Sequence, residues 1–441
     1  MADSFPELKP AARILLGPGP SNVNTRVMKA MLSPVVGHLD PDFVKVMENI
    51  KRLLRVVFRT SNEITFPVSG TGSAGMEAVM ANLIEDGDEA VVGVNGVFGT
   101  RLAEVASRLG AKVHKVEADW GTIVEPAKVA AALKAAKDPK LVAIVHAETS
   151  TGIHQPIEEI VELAHRHGAM MAIDAVTSLG CVPVEIDKWG IDACYSCTQK
   201  GLGAPPGLAP VTFSARAMES VRKRKTKCRS WYFDVALIEQ YWGPDRLYHH
   251  TAPITMNYAL YEALRIVAEE GLEARWRRHR INAAAFQAGV RAMGLGLAAQ
   301  EGYRLPQLTT IAVPAGIDDI KVRAELLRLF NIEIAAGLGP LKGKIWRVGL
   351  MGEGSRRENV MLALNALEEI LGSMGFEIAR GRALTAAEYA YSAEGTGAGE
   401  PPALRFEPDH RIRGSPHATP TLLVCPDSAG PVARLGPGRR G

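Results

Sequence analysis

Residues 64–213 alternate short apolar runs with longer amphipathic segments, and this alternation limits most strongly what the chain can fold into. Short apolar runs bounded by turn residues predict buried strands, and apolar residues at helical spacing predict the helices between them. A succession of such units folds as a mostly parallel sheet covered by helices, the α/β class. The predicted strands are ITFPV (64–68), AVVGV (90–94), AKVHKV (111–116), LVAIVH (141–146), MMAID (170–174) and DACYSC (192–197).

The periodicity changes along the chain and predicts its domain organisation. At 441 residues the chain is long enough for more than one domain. After the predicted sheet, a long helical stretch leads into the strands TTIAVP, IEIAAG and KIWRVGL with helices between them, which predicts a smaller α+β domain. Near the C-terminus Pro and Gly accumulate and the apolar period disappears, which is typical of disorder. We predict an N-terminal arm (1–20), a large domain (21–255), a small C-terminal domain (256–380) and a disordered tail (381–441).

Composition argues against several kinds of partner and location. A formal net charge of +3 over the whole chain gives no reason to expect nucleic acid as a partner. No apolar stretch reaches the ~18 residues of a membrane span. The N-terminus carries Asp3 and Glu7 and lacks the apolar core of a signal peptide. The chain has 5 cysteines, an odd number that argues against a disulfide framework. We therefore expect a cytoplasmic protein that binds neither nucleic acid nor membrane.

Polar and glycine-rich loops follow the predicted strands. These loops are SGTGSAG, NGVFG, HAETSTG, DAVTS and TQKGLG. In open α/β sheets, ligands bind outside the carboxyl ends of the strands. Because all of these loops lie at that edge, the sequence predicts one shared site.

Residues 70–75 match the pattern G-x-G-x-x-G between a strand and a helix. Glycine allows the backbone to approach a ligand closely, and a helix N-terminus offers free N–H groups and a positive dipole end to an anion. A dinucleotide site also needs an acidic residue at the end of the next strand, where this chain has Asn95. The loop thus favours a phosphate over a nicotinamide dinucleotide, although a simple tight turn is the alternative for this loop alone.

Two ionisable residues mark neighbouring strand ends. Asp174 closes MMAID, and a carboxylate there is costly unless a cation or hydrogen-bond donors pair with it; capping a helix is the alternative interpretation. Lys200 precedes the Gly/Pro run 201–207, which would fix its turn, whereas most loop lysines are simply solvated. An amine for a Schiff base, an anion cradle and an acidic partner for a pyridinium are what pyridoxal phosphate (PLP) requires.

The C-x-x-C pair Cys194 and Cys197 suggests redox or metal chemistry at first sight. If DACYSC is a strand, however, residues three apart point to opposite faces and cannot converge. We interpret both cysteines as small apolar packing residues. His249 and His250 are adjacent and diverge, so we predict no metal site.

The order of these motifs resembles class V aminotransferases of the alanine–glyoxylate and serine–glyoxylate type. The resemblance covers about residues 13–375 and rests on SGTGSAGMEA, NGVFG, HAETSTG, DAVTS, TQKGLGAPPG, YHHTAP, AGLGP and WRVGL. It implies the type I fold of PLP-dependent transferases, a large domain with a mostly parallel sheet and a smaller C-terminal domain. It also implies ping-pong transfer of an amino group from alanine or serine to glyoxylate or a similar small 2-oxo acid.

The resemblance implies a role for each matching residue. Lys200 would bind the cofactor aldehyde and act as the catalytic base, and Asp174 would pair with the pyridine nitrogen. Arg347 would bind the substrate carboxylate. The other implied cofactor contacts are the phosphate ligands Thr71, Gly72, Ser73 and Gln199, the stacking ring of Phe98, Thr149 near the phenolic oxygen, and Tyr248 and Thr251 from the second subunit of a homodimer.

Arg347 is also a candidate on its own pattern. Along the strand IWRVGL, Trp346 and Val348 share one face and Arg347 faces the other way. A planar guanidinium suits a carboxylate because it donates two parallel hydrogen bonds. An exposed Arg on a half-buried strand is the alternative if this residue is taken alone.

Other functions remain open from the sequence. A 2-aminoethylphosphonate transaminase or a PLP lyase such as a cysteine desulfurase would share the fold, and the desulfurase would need a reactive Cys on a mobile loop, for which Cys228 is the one weak candidate. A catalytically silent PLP-binding protein would hold the cofactor without any half-reaction. The complete set of Lys200, Asp174 and Arg347 argues against a silent protein.

Overall fold

The computed structural model of the chain describes residue 5 and residues 7–396. The strands are β1 (Ile14–Leu15), β2 (Ile64–Ser69), β3 (Glu89–Val94), β4 (Lys112–Glu117), β5 (Pro139–Val145), β6 (Ala147–Glu148), β7 (Ile153–His154), β8 (Met170–Asp174), β9 (Ala193–Tyr195), β10 (Leu208–Phe213), β11 (Leu308–Ala312), β12 (Ile332–Glu333), β13 (Ala335–Ala336) and β14 (Ile345–Gly349). The α-helices are α1 (Thr25–Ala30), α2 (Pro41–Phe58), α3 (Gly72–Leu83), α4 (Val97–Arg108), α5 (Pro126–Ala135), α6 (Glu158–Arg166), α7 (Ile186–Trp189), α8 (Ala215–Arg222), α9 (Val235–Trp242), α10 (Ile254–Glu270), α11 (Leu272–Ala292), α12 (Asp319–Phe330), α13 (Arg357–Ser373) and α14 (Arg382–Thr396). Within this described part of the chain, no helix combines the length and the apolar character needed to cross a membrane.

A 7-stranded sheet in the order β2-β10-β9-β8-β5-β3-β4 organises the molecule. Its pairs from β4 to β9 are parallel, and β10 runs antiparallel to both β9 and β2. The predicted α/β fold with a mostly parallel sheet is confirmed. Every predicted strand of this region overlaps an observed one, but β9 ends at Tyr195 and excludes Cys197. Both Cys194 and Cys197 are buried and free, so the C-x-x-C pair forms no disulfide.

Helices cover both faces of this sheet, and alternate strand residues enter the two apolar layers. Val92 and Ala143 pack with residues of α2, α3 and α4 on one face. Val91 and Val142 pack with residues of α2, α5, α6 and α10 on the other. Burial on both faces explains why the strands appear in the sequence as continuous apolar runs rather than as alternating ones.

A smaller antiparallel sheet, β11-β14-β13, has a separate apolar core with α11, α12, α13 and α14. The predicted boundary at residue 256 assigns α10 to this small domain, but Leu260 and Leu264 of α10 lie in the core of the large sheet. The sequence after residue 256 looks like one long helix. In the structure the helix is interrupted at Gly271, where φ is +79°, and α11 begins at the next residue. Helix α10 therefore belongs to the layer that covers the large sheet.

The predicted disordered tail begins with an ordered helix. Ala383, Ala387 and Ala390 of α14 are buried in the core of the small sheet, in contact with α11 and α13. The prediction of disorder is wrong for 382–396. Small apolar residues at helical spacing form a stripe along this helix. The high Pro and Gly content of the residues that follow made the whole segment resemble a disordered tail in the sequence. The rest of the predicted tail, 397–441, lies outside the described residues.

Helix α14 should contribute measurably to stability. Ala387 is fully buried, so Ala387→Asp would place a carboxylate without a partner in the core of the small domain. We expect the thermal unfolding midpoint to fall by about 5 °C or more. Tyr389→Asp is the matched control because Tyr389 is 44% exposed on the same helix. Equal melting curves for the two variants would contradict the packing of α14.

Candidate active site

A cavity of about 200 Å³ lies at the carboxyl ends of β8 and β9. It brings together most of the residues that the sequence predicts for the site. Those that line it are Thr71, Gly72, Ser73, Phe98, Asp174, Gln199 and Lys200. The carboxyl edge of the sheet is therefore the place where the separate sequence motifs meet.

Asp174 is the last residue of β8 and is only 2% exposed. In the parallel ladder it pairs with Tyr195 at the end of β9. Its Oδ2 accepts a hydrogen bond of 2.7 Å from the Tyr195 hydroxyl, and its Oδ1 accepts one of 2.8 Å from the Val176 N–H. Burial outweighs these donors and raises the pKa of Asp174 to about 6. The carboxyl is thus held rigidly with a pKa close to neutral pH.

The turn that carries Lys200 is fixed by residues far away in the chain. Ser21 donates from its backbone N–H to the Gln199 carbonyl at 2.9 Å and from its hydroxyl to the Lys200 carbonyl at 3.0 Å. The buried Arg275 of α11 donates to the carbonyl of Gly201 at 2.6 Å. Residues from the N-terminal segment and from α11 therefore hold the backbone of this turn in place.

The amine of Lys200 points into a confined space. The side chain is 8% exposed, and its Nζ donates a hydrogen bond to the carbonyl of Pro18. A Cβ atom at Gly19, where φ is +110°, would stand 2.5 Å from the Lys200 Cδ, so a side chain at that position would displace the lysine. Burial lowers the pKa of Lys200, and the positive charge of Arg347 lowers it further.

The N-terminus of α3 offers unused hydrogen-bond donors to the cavity. Its N-cap residue, Thr71, makes no side-chain capping bond, and the first turn contains no acidic residue. The Ala74 N–H donates to the Thr71 carbonyl at 2.8 Å, and the N–H groups of Gly72 and Ser73 before it have no partner within the helix. Gln199 lines the same cavity, and the group it can offer to an anion is the N–H of its side-chain amide, since its Oε1 is an acceptor. This arrangement fits a bound anion with several acceptor oxygens.

A buried carboxylate holds the N-terminus of α4, where Phe98 lies. Glu148 is completely buried, and its Oε2 accepts hydrogen bonds from the N–H groups of Phe98 at 3.1 Å and Gly99 at 3.2 Å. Its Oε1 accepts one of 2.6 Å from the Ser150 hydroxyl. Burial raises the pKa of Glu148. At Gly96 a Cβ would lie 2.4 Å from the Glu148 Cδ, so the close approach requires glycine there.

Arg347 and Thr149 lie together outside the lining of this cavity. Arg347 on β14 donates from Nε to the Ala336 carbonyl at 2.8 Å and from Nη1 to the Thr149 carbonyl at 3.2 Å. Its side chain is buried away from the core that surrounds Trp346, as the strand pattern predicts. Burial lowers the pKa of Arg347 to about 10. The guanidinium keeps donors free for an anion.

The structure does not bring Tyr248 and Thr251 to the cavity. Tyr248 is 63% exposed and Thr251 is also exposed, and neither lines it. The implied role of these residues at the site of a second subunit stays a prediction.

Several residues that line the cavity are not predicted by the sequence patterns. They are Gly19, Met76, Arg101, Val176 and Tyr195. The segment GPGP is a poor phosphate cradle because proline lacks an N–H, yet it contributes a carbonyl to Lys200. Tyr195 could have been found from the pairing of neighbouring strand ends, and Arg101 from its position one helical turn after Phe98.

The pKa of Asp174 predicts how stability depends on pH. Burial raises this pKa from 3.8 to about 6, so between these values the folded protein binds a proton that the unfolded chain has released. In the cofactor-free protein, ionised Asp174 therefore destabilises the fold above about pH 6 and has no such effect below about pH 4, even with Lys200 nearby. Relative to Asp174→Asn, the cofactor-free wild type should lose on the order of 3 kcal/mol of unfolding free energy across this interval. Denaturant titrations at several pH values measure it, and a constant difference would contradict the assignment.

Comparison with known proteins agrees with this site. The family model described as "Aminotransferase class-V" matches residues 15–342. An (S)-ureidoglycine–glyoxylate transaminase from Bacillus subtilis is 42% identical over 407 residues, covering 88% of this chain and 98% of the relative. An alanine–glyoxylate aminotransferase from Drosophila melanogaster is 42% identical over 367 residues, covering 82% of this chain and 93% of the relative.

A solved structure extends the agreement to the fold. The crystal structure of an alanine–glyoxylate aminotransferase from Nostoc sp. superposes with a TM-score of 0.82 at 48% sequence identity, covering 83% of this chain and 97% of that one. The family match spans most of the chain and includes the loops that form the cavity. The chain therefore belongs to the class V aminotransferase family.

Proposed function

We propose that this transaminase uses PLP to move an amino group from a small amino acid, alanine or serine, to glyoxylate or a similar small 2-oxo acid. One observation carries the proposal: a buried lysine amine and a buried carboxylate share one cavity with the donor-rich N-terminus of α3. The names of the similar proteins from Bacillus subtilis, Drosophila melanogaster and Nostoc sp. all include glyoxylate, which supports that acceptor.

The cavity residues match the chemical parts of PLP. Lys200 offers an amine to an aldehyde, Asp174 a carboxylate to a pyridine nitrogen, and Phe98 a ring face for stacking. Thr71, Gly72, Ser73 and Gln199 offer donors to a phosphate. For Gln199 the donor is its side-chain N–H₂ group, since the amide oxygen can only accept. When bound, PLP supplies an electron sink for the charge that develops at the substrate Cα.

Lys200 is suited to move a proton to and from the substrate Cα. A general base works best when its pKa is near the operating pH, and burial shifts the Lys200 amine in that direction. The carbonyl of Pro18 accepts a hydrogen bond from Nζ and so orients it. The turn held by Ser21 and Arg275 keeps the amine at a fixed distance from the end of β8.

Asp174 and Arg347 would bind opposite charges, Asp174 the ring nitrogen of the cofactor and Arg347 the carboxylate of the substrate. A positive ring nitrogen beside Asp174 would keep this carboxyl ionised, and the Tyr195 hydroxyl and Val176 N–H would hold it in place. Amino acids and 2-oxo acids share a carboxylate next to the reacting carbon, so one guanidinium can bind both substrates of a ping-pong reaction. Arg347 is buried and close enough to Lys200 for its positive charge to lower the pKa of that amine, so it can hold a carboxylate near the reacting carbon.

Ureidoglycine is a second candidate for the amino donor. The Bacillus subtilis relative is as similar as the Drosophila melanogaster enzyme, at 42% identity, but its alignment covers 407 residues against 367. A lyase that needs a reactive cysteine is less well supported. Cys228 is half-buried, donates to the carbonyl of Ala81 and does not line the cavity, and burial raises the pKa of its thiol.

A homodimer with shared active sites is part of the proposal. The exposed positions of Tyr248 and Thr251 support it, as do the nearby exposed aromatic side chains of Trp231 and Tyr232. A monomeric mass in solution would contradict it.

We also propose a reducing, cytoplasmic location, which the free thiols of the described cysteines support. Cell fractionation of a tagged protein would test it.

The role of Lys200 can be tested chemically. Reduction of the PLP-loaded protein with borohydride should fix the cofactor mass on the peptide that contains Lys200. The variant Lys200→Ala should lose this label and all transamination, because no other amine of the cavity can replace it. Lys188→Ala is the control, since Lys188 is an exposed lysine on α7. A label that persists in Lys200→Ala would overturn the assignment.

The same preparation distinguishes the donors and the acceptor. Alanine, serine and ureidoglycine are each mixed with the loaded enzyme without an acceptor, and the released oxo acid is quantified. Glyoxylate is then added. Return of the absorbance spectrum that the PLP-loaded enzyme had before the donor was added marks the second half-reaction. A protein that binds PLP but reacts with no amino donor would be catalytically silent, and this result would refute the proposal.

Arg347 should determine how tightly the carboxylate substrates bind. In Arg347→Lys the positive charge remains but the two parallel hydrogen bonds cannot form, so KM for glyoxylate should rise about 10- to 100-fold. Arg347→Gln should raise it further. Arg328→Lys, an exposed position on α12, is the control. Unchanged KM values for both glyoxylate and the donor in Arg347→Lys would exclude it as the carboxylate ligand.

A further inference from the structure

An exposed arginine at the mouth of the cavity has no part in the reaction described so far. Arg101 lies on α4, one turn after Phe98, and lines the cavity. Its guanidinium carbon lies 5.1 Å from the centre of the Phe98 ring, and its Nη1 donates to the Ser73 hydroxyl at 3.3 Å. Arg101 therefore contacts both the Phe98 ring and the group of proposed phosphate ligands Thr71, Gly72, Ser73 and Gln199, here called the anion loop.

The charge of Arg101 is not used within the described part of the chain. There, no carboxylate lies within ion-pair distance of its guanidinium. Arg108, two turns further along the same helix, is by contrast paired with Glu104 at 2.8 Å. The hydrogen bond to Ser73 and the contact with the Phe98 face leave further N–H donors of Arg101 available.

The anion loop itself contains no formal positive charge. Thr71, Gly72, Ser73 and Gln199 offer neutral hydrogen-bond donors, and α3 adds only the partial charge of its N-terminus. A phosphate monoester carries about −1.5 to −2 charges near neutral pH. The other cation of the cavity lining, Lys200, is needed for the aldehyde. A second cation would balance the phosphate.

We propose that Arg101 is a phosphate-binding residue of this site. The guanidinium would stay over the Phe98 ring and donate to the phosphate held by Ser73 and its neighbours. This inference rests on the proposed function, because it assumes the phosphate of PLP at the N-terminus of α3. Arg347 lies outside the cavity lining and remains the ligand for the substrate carboxylate.

Comparison of PLP with pyridoxal, which has the same ring and aldehyde but no phosphate, separates charge from stacking. The purified protein is freed of cofactor, and the dissociation constants of both ligands are measured for the wild type, Arg101→Gln, Arg101→Lys and the control Arg108→Gln. Arg101→Gln should weaken PLP about tenfold and pyridoxal by no more than about twofold. Arg101→Lys should recover part of the loss, and Arg108→Gln should match the wild type. Inorganic phosphate should compete with PLP less effectively in Arg101→Gln.

Two results would overturn the inference. Equal weakening of PLP and pyridoxal in Arg101→Gln would mean that Arg101 acts only through the Phe98 ring. Unchanged affinity for both ligands would mean that it has no role in cofactor binding. Failure of the wild type to bind PLP at all would instead contradict the proposed function. Melting curves of the four proteins establish that each is folded.

Discussion

A carboxylate buried at the end of the central strand β8 is the constraint on which the site depends. Asp174 cannot lie there without fixed donors, and the parallel register with β9 provides the Tyr195 hydroxyl directly beside it. The same strand β9 leads within a few residues to Lys200. One strand pairing therefore sets the positions of the acid and the amine relative to each other. Burial raises the pKa of the acid and lowers that of the amine, so both groups move towards neutral pH for the same physical reason.

The position of Lys200 also depends on contacts between distant parts of the chain. Ser21 follows the N-terminal strand β1, which pairs with β12 of the small domain, and Arg275 lies on α11. Each donates to a carbonyl of the same turn. Because the lysine backbone is held from both sides, the point from which its side chain enters the cavity is fixed. Such support by surrounding residues is what an active site needs to keep reacting groups in position.

The sequence predicted the strand ends well and the supporting contacts poorly, for a physical reason. Continuous apolar runs and glycine-rich loops are local signals, so the anion loop, Asp174 and Lys200 could be located from the amino-acid sequence alone. The carbonyl of Pro18 and the guanidinium of Arg275 act on Lys200 across long sequence separations, and no local pattern predicts such contacts. The boundary error at α10 has a related cause. Its apolar face has the same period as that of α11, and only the three-dimensional packing separates the layers that the two helices cover.

The loop HAETSTG connects two residues that we propose as ligands, Phe98 for the cofactor and Arg347 for the substrate. Its Glu148 carboxylate holds the first turn of α4, and with it Phe98, by accepting two backbone N–H groups. The carbonyl of the next residue, Thr149, accepts from Arg347 on β14. A shift of this loop would move the stacking ring and the guanidinium together. Glu148 is completely buried and Arg347 nearly so, and charges in the protein interior are weakly screened. Burial lowers the pKa of Arg347, and the negative charge of Glu148 acts in the opposite direction. The loop therefore links two predicted binding groups both mechanically and electrostatically, although only Thr149 was predicted from it.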